Sequence, residues 1–73
     1  MPFIRFKGFY FNIKNINCIR FYKEYHPEGV YYRVVFMMIN KEEIVVYDVK
    51  ENELRKVFEE LDIELNEEDL WVC

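Results

Sequence analysis

A chain of 73 residues, 52% hydrophobic and 19% aromatic, lies near the lower size limit for a domain that folds without staples and far from a disordered composition. Its 14 acidic and 10 basic side chains leave a formal net charge of −4, which argues against strong phosphate binding by the molecule as a whole. There is no Ser, Thr, Ala or Gln, and the only glycines are Gly8 and Gly29, so Ser and Thr nucleophiles, N-glycosylation sequons and a Walker-type phosphate loop are excluded.

In chain order, FIRFKGFYF (3–11) reads as a first strand, aromatic with basic residues interleaved, and NIKN (12–15) as a turn, because Asn tolerates left-handed backbone. INCIRFYKEY (16–25) is a second strand. HPEG (26–29) is a strong turn signal, with Pro27 fixing φ and Gly29 free to take positive φ. VYYRVVFMMI (30–39) is a third strand, NKEE (40–43) a further turn, and IVVYDVK (44–50) a fourth strand. The period then changes. Leu54, Val57, Phe58 and Leu61 follow the i, i+3, i+4, i+7 spacing of an amphipathic helix. The remaining DIELNEEDLWVC suits either a short strand through Ile63 and Leu65 or a short helix capped by Asn66.

The expected fold is therefore a single α+β domain over 1–73. It comprises a four-stranded, mainly antiparallel β-meander with one helix at about residues 52–61 on one face, plus a short C-terminal segment. With HPEG as the loop, Tyr25 lies opposite Val30 and Phe21 opposite Val34, and opposed residues share a face. One face then carries Ile19, Phe21, Tyr32, Val34, Phe36 and Met38. Closing the next hairpin with Ile39 opposite Ile44 adds Val45, Tyr47 and Val49, a core face for the helix to cover.

The second face divides. One end holds Ile16, Cys18, Val35, Met37, Ile39, Ile44 and Val46, an apolar patch larger than monomers usually expose. Either the C-terminal segment or another chain must cover it. Val35, Met37, Ile39, Ile44 and Val46 are accordingly the expected protein interface, and a second copy of the chain is one candidate partner. The other end holds Arg20, Tyr22, Glu24, Tyr31, Arg33, Asp48 and Lys50, and within it Arg20, Tyr22, Tyr31 and Arg33 set cations among rings, the combination that single-strand nucleic-acid binders use.

Charge is unevenly spread. Residues 1–40 carry six basic against two acidic side chains, whereas residues 41–73 carry four against twelve. Glu59, Glu60, Asp62, Glu67, Glu68 and Asp69 form an acidic surface suited to docking on a basic partner, where opposite potential speeds encounter. Small acidic inhibitors of nucleic-acid-handling enzymes work this way.

Nothing calls for a cofactor, a small-molecule substrate or a metal. The lone His26 adjoins Pro27 at a turn tip, and Cys18 and Cys73 lack CxxC spacing. They read as a half-buried strand thiol and a terminal thiol in a reducing compartment, with an intermolecular disulfide through Cys73 as the alternative. No stretch approaches the roughly 18 apolar residues of a membrane span, and MPFIRFKGFYF has charges inside its apolar run. A cytoplasmic protein is expected.

The segment GFYFNIKNINCIRF (8–21), followed by two strands and an amphipathic helix, resembles the FlbD-type small flagellar proteins. The likeness runs through Phe9, Tyr10, Asn12, Ile16 and Ile19, in an aromatic strand, an Asn-containing turn and Ile-x-x-Ile. Ile13 replaces that family's Pro after the Asn, and NKEE replaces its Gly-containing turn. The resemblance spans about fourteen residues, and no function is carried over from it. The function expected from the residues themselves is a small non-enzymatic protein–protein interaction module, a homodimer or a regulatory or inhibitory subunit. The alternative is a single-stranded nucleic-acid binder using Arg20, Tyr22, Tyr31 and Arg33.

Overall fold

A computed structural model describes residues 3–62 and the backbone of 71–72. In chain order these form β1 (Phe3–Phe6), β2 (Phe9–Asn12), a 3-10 turn at Ile13–Asn15, β3 (Ile16–His26), β4 (Gly29–Met38), β5 (Glu43–Val49), α1 (Glu51–Glu60) and β6 (Trp71–Val72). The protein is α+β with antiparallel sheets and one helix, but not a four-stranded meander. β1 and β2 make a separate two-stranded hairpin. β3, β4 and β5 form the meander, with the two residues of β6 added to the outer edge of β3.

The expected first strand is broken at Lys7 and Gly8. Both have positive φ, 50° and 88°, the backbone that a two-residue hairpin turn of the I′ kind requires. The chain therefore folds back with Phe6 opposite Phe9 and Ile4 opposite Phe11. That reversal sends Ile4, Phe6 and Phe11 inward. The Phe11 ring lies 4.5 Å from Phe36, and Phe6 meets Phe36 edge-on at 5.9 Å.

The β3–β4 hairpin has the expected register, with Tyr25 opposite Val30 and Phe21 opposite Val34. Ile19, Phe21, Tyr32, Val34 and Phe36 are buried, and Met38 packs half-buried beside them. Leu54, Val57 and Phe58 of α1 close over the same face, Phe58 meeting Phe21 edge-on at 5.6 Å. Hairpin and helix thus share the covering of one sheet face. The other face is left outward.

β5 departs from the expected pairing. Ile39 belongs to the turn, not to β4. Its N–H donates to the Asn15 carbonyl, the Met38 N–H donates to the Glu42 carbonyl, and Asn40 Oδ1 accepts from the Glu42 N–H at 3.0 Å. Lys41 completes the turn with φ 73°. This longer connection sets Phe36 opposite Ile44 and Val34 opposite Val46, reversing the faces of β5. A bulge follows, because Tyr32 pairs with Val49, three residues beyond Val46, where β4 has moved only two. Asp48 takes φ 56° within it. The extra residue returns Val49 to the core, while the reversed faces leave Tyr47, expected inside, 60% exposed.

The N–H of Lys50 at the start of α1 donates to Glu53 Oε1 at 3.0 Å, half of a capping box. Lys7 Nζ pairs with the same carboxylate at 3.3 Å. The Lys50 N–H has the largest effect, burial opposes it, and the Lys7 ammonium adds to the lowering, so the Glu53 carboxyl is held below its ordinary value of 4.5. A carboxyl lowered in the folded state stabilises above its unfolded value, and the contribution is lost as pH falls through the folded value. Glu53→Ala is therefore expected to cost about 1 kcal/mol at neutral pH. Urea unfolding of both chains should show that difference shrinking as the pH is taken below 4.5.

Candidate functional site

The outward face is built by alternation along β3 and β4. Cys18, Arg20, Tyr22 and Glu24 lie opposite Met37, Val35, Arg33 and Tyr31 respectively. On the far side of β4, Val45 lies opposite Val35 and Glu43 opposite Met37. At its centre the Arg33 guanidinium sits 4.5 Å from the centroid of the Tyr22 ring. Arg20 Nη1 donates to Tyr22 Oη at 2.8 Å, so both cations engage one tyrosine. Such stacking contributes from about 0.5 kcal/mol when exposed to 2 kcal/mol when desolvated. Arg33 Nε is buried with no hydrogen-bond partner among the described residues. Tyr31 meets His26 edge-on at 5.1 Å, and His26 Nε2 lies 4.0 Å from Glu24.

The four residues expected to act together, Arg20, Tyr22, Tyr31 and Arg33, are thus brought onto one face. The expected apolar interface is not. Val35 and Met37 are outward and half-buried, but Val46 is only 3% exposed and belongs to the core, and Ile44 packs against that core. The reversed register of β5 is the cause. Ile16 also turns inward, because a second bulge between Ile16 and Cys18 inserts Asn17. Ile39, in the turn, is 62% exposed. What remains outward is Val35 and Met37 joined by Val45, with Tyr47 exposed where the bulge begins.

Glu59, Glu60 and Asp62 are exposed at the end of α1. Because α1 covers the core face, they stand on the side of the sheet away from Arg33. The last turn of α1 holds no basic residue, so these carboxylates sit against the negative end of the helix dipole without local compensation. Glu67, Glu68 and Asp69 lie outside the described residues. Cys18 is disulfide-bonded, contrary to the expected free strand thiol.

A second surface was not legible as a unit. With the chain reversed at Lys7–Gly8, Phe3, Arg5 and Tyr10 share the outer side of the β1–β2 hairpin. Phe3 and Tyr10 stack in parallel at 5.2 Å, and the Arg5 guanidinium lies 5.8 Å from the Tyr10 centroid. Tyr10 is 62% exposed. The signal in the sequence was Gly8 in the middle of an aromatic run. A groove of about 320 Å³ also runs between this hairpin and α1, lined by Arg5, Lys7, Glu53, Lys56 and Glu60. Its charges are mixed and its Lys7–Glu53 pair is internal.

No family model, curated protein or solved structure matches the chain. Among the described residues no group of three or more His, Cys, Asp or Glu side chains gathers as metal ligands, and no helix is long and apolar enough to cross a membrane.

Proposed function

We propose that the protein is a small non-enzymatic protein–protein interaction module whose working surface is the outward sheet face, centred on Arg33, Tyr22, Val35 and Met37. The observation that carries this is the Arg33–Tyr22–Arg20 cluster beside half-buried Val35, Met37 and Val45. Tyr, Arg and Met are the side chains enriched at interface cores and hot spots. A rigid sheet presents them at low entropic cost, because the strands and the cross-strand stack are already ordered. The acidic end of α1 adds a bipolar charge layout that orients encounters without entering the contact.

A second copy of the chain is the first partner to test. Sedimentation velocity over a concentration series is expected to show self-association of the native chain. Met37→Glu, which places a charge at the half-buried outward position, should abolish it while leaving the circular dichroism spectrum unchanged. A native chain that sediments as a monomer at all concentrations rules out the homodimer and leaves a different protein as the occupant.

The exposed Phe3–Tyr10 stack with Arg5 favours a second reading, single-stranded nucleic acid bound by stacking and phosphate contacts. Residues 1–23 contain five cations and no acid. Titration with a fluorescent single strand at two salt concentrations decides it. Binding that weakens with salt and is lost in Tyr10→Ala supports this reading, and no binding at low salt ends it.

A further inference from the structure

We infer that two copies of the chain stack outward face to outward face about a two-fold axis above Val35, with Glu43 of each copy paired to Arg33 of the other. This arrangement rests on the outward face being the working surface, and it gives that face an occupant and a register. The sheet places the two charges symmetrically. Arg33 lies opposite Tyr22, Val35 opposite Val45 and Met37 opposite Glu43. Along β4, Arg33 therefore stands two residues before Val35, and Glu43 is level with Met37, two residues after it. At about 3.4 Å per residue the two charges are at least about 14 Å apart, too far to meet within one chain.

Among the described residues neither charge has an ion-pair partner, the salt bridges there being Lys7–Glu53, His26–Glu24 and Arg55–Glu51. The Arg33 guanidinium rests on the Tyr22 ring instead of a carboxylate, and Glu43 is exposed. A two-fold axis lying across the strands above Val35 exchanges the two ends of the face. It sets Met37 of one copy over Arg33 and Tyr22 of the other, with Glu43 one strand, about 4.8 Å, to the side. Sheets stacked face to face stand about 10 Å apart, a gap that an arginine and a glutamate reaching toward each other can span. The contact is isologous, so the ion pair forms twice.

The rest of the face suits the same axis. Val35 meets Val35 of the second copy and Val45 meets Val45, an apolar centre flanked by the two ion pairs. Met37, flexible and polarizable, packs against the Tyr22 ring of the other copy. Arg20, level with Val35, lies near the axis, but its bond to Tyr22 Oη draws it along β3. The two-fold turns that lean in opposite directions in the two copies. Like charges part while unlike charges meet, which fixes register and penalises other pairings. α1 and its acidic end stay on the outer side of each sheet, so the assembly closes at two chains.

Sedimentation velocity of the full chain supplies the test. The native chain should self-associate, and Arg33→Glu and Glu43→Arg should each weaken that association by at least about thirtyfold. An equimolar mixture of the two variants should recover the native strength, because each brings the charge that the other lacks. Circular dichroism establishes that the variants are folded. If Arg33→Glu is not, Glu43→Arg, at an exposed strand position, carries the test through its own thirtyfold weakening. A native chain that stays monomeric overturns the paired arrangement and leaves the outward face to a different protein, which crosslinking from position 37 would still report. A native dimer that Glu43→Arg leaves at full strength, or folded variants that remain monomeric when mixed, would overturn the Glu43–Arg33 register while the dimer itself stands.

Discussion

Val46→Glu is expected to unfold the protein at room temperature, whereas Val45→Glu, one residue away, should leave it folded. Val46 is 3% exposed, opposite the wholly buried Val34. A carboxylate there has no cation within the core cluster, whose members are all hydrophobic. Burying an unpaired charge costs several kcal/mol, and a chain of this length has only about 4–11 kcal/mol of total stability to lose. Val45 faces outward across from Val35 and is half-buried, so its glutamate keeps contact with water and should cost about 1 kcal/mol. Urea titrations followed by circular dichroism separate the two variants. The opposite ranking, with Val45→Glu the disruptive change, would restore the register in which Ile39 faces Ile44.

The second large effect is expected at Phe36. It is fully buried, and its ring touches Phe6 and Phe11, both from the β1–β2 hairpin. Phe36 is therefore where the hairpin is seated on the meander. Truncation to alanine removes the ring's burial and leaves a cavity between two elements that share few other ring contacts, at a cost of about 3–5 kcal/mol. For a domain of this size each kcal/mol lowers Tm by about 4–8 °C, so Phe36→Ala should melt at least 10 °C below the native chain, by roughly these same factors. Tyr47→Ala, at a 60% exposed position, should shift it by no more than about 0.5 kcal/mol. Thermal scans monitored in the near ultraviolet report loss of aromatic packing. Equal shifts for the two variants would mean that the hairpin does not sit on Phe36.

These variants also mark where sequence pattern stops determining structure. The β3–β4 pairing was legible because Pro27 and Gly29 punctuate the turn, and the helix because its apolar spacing is regular over Leu54 to Leu61. The core stripe of Ile19, Phe21, Tyr32, Val34 and Phe36 followed from those two facts. β5 was not legible, because NKEE encodes its loop length only through an Asn40 side-chain bond and a left-handed Lys41, neither of which hydrophobic pattern reports. Bulges at Asn17 and near Asp48 then shifted parity again, and a period of two has no means of announcing an inserted residue. Lys7–Gly8 was missed for a similar reason, since a lysine at the first turn position is a weaker signal than asparagine.

The candidate site divides along the same line. Arg20, Tyr22, Tyr31 and Arg33 lie on the well-determined hairpin, and they come together as expected. Ile44 and Val46 depended on the register of β5, and they belong to the core. The apolar patch is consequently smaller than composition suggested, and the arginine–tyrosine cluster beside it becomes the more prominent feature of the outward face.

Site-directed photo-crosslinking distinguishes the outward sheet face from the rest of the surface without knowing the occupant. Met37→benzoylphenylalanine, on the outward side of β4, and Lys56→benzoylphenylalanine, exposed on α1, are irradiated side by side in cells and at matched concentration in vitro. A discrete crosslinked species from position 37, absent from position 56 and lost on adding Arg33→Glu, is the predicted result. Crosslinking from position 56 with none from position 37 would contradict it, placing the working surface on the helix side of the sheet.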